Sequence, residues 1–310
     1  MRTLVLIVLI ATLCSCSQKQ DLPNILLIVV DDLGYADLHC YGNQWVETPN
    51  IDRLAAEGVR FTQAYASCTV CSPTRASLMT GRNPVAVNIT DWIPGRQDSR
   101  GGPLPQEKFL VPRFNQQLAL DEITLAELLS ESGYVSASIG KWHLGGEGFL
   151  PTDQGFDVNV AGYSKGSPPS YHYPYTREGR EDIITPLPLT GDSLYLTDRL
   201  TNEAIRFMGG ERQGPFFLYL PFYNVHTPLE GRPDLVEKYE AKLSEHQGDS
   251  ILRNPHFLAM TEAVDENVGR ILQFLEDNGL TGNTLVVFTS DNGGLLLRGG
   301  PDQRFIRASW

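Results

Sequence analysis

The chain has 310 residues, 41% hydrophobic and 20% charged, with 25 Lys+Arg against 37 Asp+Glu and a formal net charge of −12. A sequence pI near 4.9 without a long basic run excludes a general nucleic-acid binder and a cationic arm for acidic membranes. Five cysteines are too few for a disulfide scaffold and show no paired zinc-type spacing, while the length suits one large α/β domain or two smaller ones.

Residues 1–15 open with Arg2 and an apolar run from Leu4 to Leu13 that is too short to span a bilayer, the pattern of an export signal. Leu13-Cys14-Ser15-Cys16 resembles a bacterial lipobox, which makes Cys16 the expected lipid anchor and residues 16–23 a tether. An exported protein, periplasmic or held at the outer membrane, is therefore expected. Ile25 to Val30 and Thr284 to Thr289 are unbroken apolar runs that predict strands covered on both faces. Each ends in polar residues, Asp31-Asp32 and Asp291-Asn292, at the strand end where α/β sheets place ligands.

Between them, Thr48-Pro49 predicts an N-cap and first-turn proline for a helix stopping at Gly58. Thr124-x-x-Glu127 is a capping box with Gly133 as its stop, followed by a strand over Tyr134 to Ile139. Pro215 to Pro221 reads as another buried strand. Asn254 to Gly279 carries Phe257, Met260, Val264, Val268, Ile271, Leu272 and Leu275 at helical steps. Strands alternating with helices give an α/β class, and the stretches 91–119 and 161–190 read as long insertions forming functional walls.

The most specific segment is Cys71-Ser72-Pro73-Thr74-Arg75-Ala76-Ser77-Leu78-Met79-Thr80-Gly81-Arg82. A cysteine at a helix start with an arginine one turn on suggests a sulfur-derived nucleophile at an anion site. The string resembles the signature of the type I, formylglycine-dependent sulfatases. Further blocks resemble that family in order: Asn24 to Tyr35, Gly140-Lys141-Trp142-His143-Leu144-Gly145, His226-Thr227-Pro228, Asp265-Glu266-Asn267-Val268-Gly269 and Thr289 to Gly294.

The resemblance implies an alkaline-phosphatase-like fold, with a mixed, mostly parallel sheet sandwiched by helices. It implies that Cys71 is oxidised to Cα-formylglycine by a formylglycine-generating or anaerobic sulfatase-maturating enzyme. Asp31, Asp32, Asp291 and Asn292, with residue 71, would hold Ca²⁺, for which hard oxygen donors are suited. Arg75 would hold the formylglycine hydrate, Lys141 would bind sulfate oxygens, His143 would hydrogen-bond residue 71, and His226 would protonate the departing alcohol. Attack of the hydrate on sulfur would then be followed by expulsion of sulfate and return of the aldehyde. His39, His172, His246 and His256 carry no motif and are read as structural, His172 being placed to line a substrate cleft.

The implied substrate is a sulfated polysaccharide or glycosaminoglycan fragment. Two alternatives share these residues: a phospho- or phosphonate-ester hydrolase of the same superfamily, and an inactive surface protein binding sulfated glycans. One family element is missing. A further lysine is expected in a Leu-Arg-Gly-Gly-Lys-Gly segment, yet Leu297-Arg298-Gly299-Gly300 is followed by Pro301. The expectation is thus an incomplete catalytic domain over 24–300 and a non-matching tail over 301–310, produced by a frameshift or broken gene model and leaving the chain inactive and poorly stable.

Overall fold

The computed structural model describes residues 22–95, 112–180, 184–187, 194–244 and 254–294. The segments expected to be an export signal (1–15) and a non-matching tail (301–310), with Cys16 and His246, lie outside them, as do parts of both insertions. The described chain forms a five-stranded parallel sheet in the order β3-β2-β4-β1-β5. Its strands are β1 (Asn24–Val30), β2 (Val135–Ile139), β3 (Val158–Val160), β4 (Phe216–Pro221) and β5 (Thr284–Ser290). The helices are α1 (Pro49–Glu57), α2 (Cys71–Thr80), α3 (Leu125–Ser130), α4 (Leu196–Gly209), α5 (Pro233–Ser244) and α6 (Pro255–Asp277).

Strand periodicity divides the core in two. Leu26, Ile28 and Val30 of β1 and Phe216, Leu218 and Leu220 of β4 face a large cluster with α4 and α6. Leu27, Val29, Phe217 and Tyr219 face the other side, against Ala76 and Met79 of α2 and the buried Trp142 and Phe156. Central strands covered on both faces need continuous apolar sequence, which explains why β1 and β4 read as unbroken runs.

β5 departs from that expectation. It pairs with β1 in register from Asn24↔Thr284 to Val30↔Ser290, but Leu285 is 54% exposed and Val287 37%. Val286 and Phe288 pack against the core on one face, while the other face of this outer strand has no comparable cover among the described residues.

The helix signals at 124 and 254 are realised. Thr124 Oγ1 accepts from Glu127 N at 3.2 Å and Glu127 returns the bond to Thr124 N at 2.7 Å; Asn254 accepts from Phe257 N at 3.2 Å. Thr48 stands at the N-cap of α1, with Pro49 in the first turn and Gly58 at the end as expected, but without the capping bond. Its hydroxyl turns to Asp52 (3.2 Å), and the first N–H groups of α1 are satisfied from α6 instead. Asp265 accepts from Asn50 N (3.3 Å), Asn50 Nδ2 (2.8 Å) and Ile51 N (2.7 Å). A carboxylate brought by tertiary packing thus replaces the local cap.

Candidate active site

Four neighbouring strand ends and one helix start supply the site. β1 delivers Asp31 and Asp32, β5 delivers Asp291 and Asn292, β2 leads to Lys141 and His143, β4 leads to His226, and α2 begins at Cys71 with Arg75 one turn on. This is the carboxyl edge of a parallel sheet, where ligands bind in α/β folds. Gly140 makes the approach possible: at φ 125°, a Cβ there would overlap the carbonyl of Pro221, to which Lys141 N donates at 2.8 Å.

The charged groups are buried together. Asp31, Lys141, Arg75 and Asp291 have no solvent exposure. Lys141 Nζ donates to Asp31 Oδ2. Arg75 donates to Asp291 Oδ2 through Nε (3.0 Å) and Nη2 (2.8 Å), lies 3.5 Å from Asp31 Oδ1, and donates through Nη1 to the Lys141 carbonyl at 2.8 Å. Its guanidinium is committed to these acids and makes no hydrogen bond to Cys71. Burial opposes both cations, yet the acids, Asp31 foremost for Lys141 and Asp291 for Arg75, outweigh it and hold both above their ordinary pKa values. Burial, then Asp31, raise the Asp291 carboxyl as well, to about 6, against the pull of Arg75.

Carboxylate oxygens of Asp31, Asp32 and Asp291 lie within 4.8 Å of one another. Asn292 Nδ2 donates to Asp32 Oδ1 at 2.7 Å and Asp32 N to Asp291 Oδ1 at 3.3 Å. Three buried acceptors nonetheless have no hydrogen-bond donor: Asp31 Oδ1, Asp32 Oδ2 and Asn292 Oδ1. Unpaired buried acceptors of this kind are costly. An all-oxygen set with lone pairs to spare fits a hard divalent cation.

Cys71 and His226 each group with Asp31 within the same 4.8 Å limit. Burial, and next the charge of Asp31, push the Cys71 thiol well above its usual range, with only Lys141 opposing among the leading influences. The side chain is therefore held as a neutral thiol, a poor nucleophile as it stands. His143 sits in the left-handed region at φ 59°, its N–H turned to the carbonyl of Tyr163 at 3.2 Å. Burial and then Lys141 hold its imidazole well below the usual pKa, hence neutral. Its Nε2 contacts the Ile93 carbonyl, which assigns the proton to that nitrogen and leaves Nδ1 buried as an acceptor without a partner. His226 Nδ1 bonds the Thr227 carbonyl at 2.8 Å, and its Nε2 stands 3.8 Å from Asp32 Oδ2.

Sequence reasoning missed the brackets around these groups. Ser72 Oγ accepts from Ile93 N (3.0 Å) and donates to the His143 carbonyl (3.0 Å), tying α2 to both. Asn224 accepts from Asp31 N at 2.7 Å through its carbonyl, and its side chain donates to the Met260 carbonyl at 3.1 Å. Ser72 was visible inside the cysteine motif; Asn224 had no motif of its own. His39 pairs with Asp52 (2.6 Å) and His256 accepts from Gly231 N (3.2 Å), both away from the cluster, while His172 packs 5.4 Å from the Tyr195 ring.

A parallel α/β sheet with acids, a helix-start cysteine and histidines at its carboxyl edge defines an alkaline-phosphatase-like hydrolase framework. The chain belongs to the sulfatase family, whose pattern matches residues 23–307. It is 35% identical over 306 residues to the N-acetylgalactosamine-6-sulfatase of Canis lupus familiaris, covering 92% of this chain and 53% of that protein. It is 32% identical to the N-acetylgalactosamine-6-O-sulfatase of Bacteroides thetaiotaomicron, over 96% of this chain and 66% of the relative. Among solved structures, Ps i-CgsB in complex with k-i-k-neocarrahexaose superposes with a TM-score of 0.67 at 33% identity, over 88% of this chain and 59% of that one. The chain thus spans about half the length of the first of these relatives.

Proposed function

We propose that this chain carries the catalytic centre of a sulfate-ester hydrolase acting on sulfated saccharides. The observation that carries the reading is the convergence of Cys71 at the start of α2 with buried, incompletely paired oxygens from β1 and β5. Two of the relatives just named are sulfatases of a sulfated amino sugar and a third holds a carrageenan-type oligosaccharide, which supports a saccharide substrate. When bound and matured, Ca²⁺ on Asp31, Asp32, Asp291 and Asn292 supplies positive charge for sulfate oxygens, and formylglycine at position 71 supplies as its hydrate the nucleophile for sulfur.

The remaining residues have defined tasks. Lys141, kept charged by Asp31, offsets negative charge at the sulfate. His143, neutral with its proton on Nε2, presents Nδ1 to accept a hydrogen bond from a hydroxyl at position 71. His226 donates Nδ1–H to the Thr227 carbonyl, which leaves Nε2 to carry the proton given to the departing alcohol oxygen. Arg75 fixes Asp291 and Asp31, and so the geometry of the cation site.

The export signal and the lipobox-like Leu13-Cys14-Ser15-Cys16 support a periplasmic or outer-membrane lipoprotein anchored at Cys16. No described helix is long and apolar enough to cross a membrane. Fractionation of wild type and Cys16→Ser checks this: the wild type is expected with membranes, and a wholly soluble wild type defeats the anchor. For the reaction, the protein is co-produced with a maturation enzyme, peptide mass spectrometry reads residue 71, and sulfate and phosphate release are assayed on paired esters. Formylglycine with sulfate release is expected. An unconverted thiol, or phosphate release alone, overturns the reading.

A further inference from the structure

The two insertions marked in the sequence meet at His143, from opposite sides of the chain. The Ile93 carbonyl contacts Nε2 of the ring, and Gly166 lies so close that a methyl group there would overlap the ring itself. Both approaches are fixed. Ser72 Oγ holds Ile93 N, the Tyr163 carbonyl holds His143 N, and Arg180 Nη1 braces the second loop through Ser167 Oγ at 3.2 Å.

One residue from each contact stands a side chain the catalytic machinery does not use. Trp92, next to Ile93, is 47% exposed; Lys165, next to Gly166, is exposed. Neither side chain makes a hydrogen bond or ion pair with a described residue. Consecutive Cα atoms are about 3.8 Å apart, so both residues are rooted at the rim of the His143 pocket. An exposed indole offers a flat apolar face with a polar N–H at its edge, the combination that receives the C–H face of a pyranose. Lys165 is a flexible, compact cation. Between Ala161 and Thr176 it is the sole charged residue. An exposed ammonium beside the site of a protein of net charge −12 favours an anionic group on the ligand there.

We propose that Trp92 and Lys165 form a saccharide subsite beside the sulfate pocket, taking a pyranose that bears a second acidic group, sulfate or carboxylate. The inference deepens the sulfatase reading and rests on it for the identity of the adjacent reaction; the subsite itself is read by binding.

The test is calorimetric titration of the full chain with inorganic sulfate and three disaccharides: one monosulfated, one carrying a second sulfate, one carrying a uronate. In the wild type the second acid tightens binding by about tenfold, the scale of one charge-assisted hydrogen bond. Whichever of the two acids gives the larger gain identifies the group Lys165 takes. Lys165→Ala erases the gain and Lys165→Arg retains it. Trp92→Ala weakens all three disaccharides by about tenfold and Trp92→Phe recovers most of the loss, because stacking needs only an aromatic face. Inorganic sulfate binding stays within twofold in every variant. A gain that survives Lys165→Ala, or a Trp92→Ala loss as large for inorganic sulfate as for the disaccharides, overturns the subsite. If the matured wild type releases no sulfate from any ester while the titrations behave as stated, the hydrolase reading falls and the subsite stands.

Discussion

Asp291 at the end of β5 and Asp265 on α6 are both buried until the carboxyl pKa reaches about 6, in two different surroundings. In both, burial is the leading cause. They differ in what surrounds the oxygens. Asp265 takes three N–H groups from Asn50 and Ile51, all neutral donors fixed at the start of α1, and none of its oxygens is left without a donor. Asp291 takes a guanidinium and shares its space with two more carboxylates, and the cluster retains three acceptors with no donor. Burial and a raised pKa therefore do not separate a structural carboxylate from a ligand. What the surroundings of Asp265 lack is the set of three donor-less oxygens, from Asp31, Asp32 and Asn292, that converges beside Asp291.

Substitutions at the two sites should separate them in turn. The largest effect is expected from Cys71→Ala in the matured protein, a loss of sulfate release on the order of 10⁴-fold or more with the fold intact by circular dichroism. Arg75→Ala should follow, costing about 3–5 kcal/mol in denaturant unfolding because it leaves buried Asp291 and Asp31 short of a countercharge. Calcium at a hundredfold above its dissociation constant should stabilise the wild type by about 2.7 kcal/mol. Asp31→Ala should abolish that gain and Asp265→Ala should leave it whole, which thermal melts with and without calcium will read.

Asp265→Ala should itself cost about 2–3 kcal/mol, since three N–H groups at a helix start lose their acceptor. The smallest effect is in pH dependence. With its folded pKa raised to about 6, Asp265 binds its proton more tightly in the folded chain than in the unfolded one. Its contribution is therefore most favourable at low pH and declines as pH rises from about 4 to about 6. Asp265→Asn should flatten stability over that window and leave the slope above it unchanged; an unaltered profile would show that the carboxylate is not held protonated there.

Local signals carried the central strands and the sites at their ends. Asn24 to Val30 and Phe216 to Pro221 are apolar throughout because both faces are covered, and the acids that follow β1 and β5 stand at the edge where ligands collect. What escaped was set by partners distant in sequence. Thr48 has a capping residue's chemistry, but Asp265, 214 residues from Ile51, takes its place. Leu285 and Val287 have the composition of a covered strand, and only sheet order shows their face exposed. α4 was legible in Leu196, Leu200, Ala204 and Met208 at four-residue steps, a helical stripe lost between loops rich in proline and tyrosine. The role of Arg75 shows the same limit: its motif places it one turn beyond Cys71, while its partner Asp291 lies 216 residues away.

That separation sets a clock on access to Cys71. Cys71 is only 7% exposed once the chain is folded, and the pocket that encloses it cannot close before Asp291 has been synthesised. A ribosome adding roughly 5–20 residues per second needs on the order of 10–40 s to travel from one to the other. Until then the pocket is incomplete and Cys71 is reachable from solvent; the finished fold buries it. On the proposed conversion of Cys71, slower elongation beyond residue 71 should raise the converted fraction, and a variant whose β1–β5 pairing forms late should be modified more completely than one that folds fast.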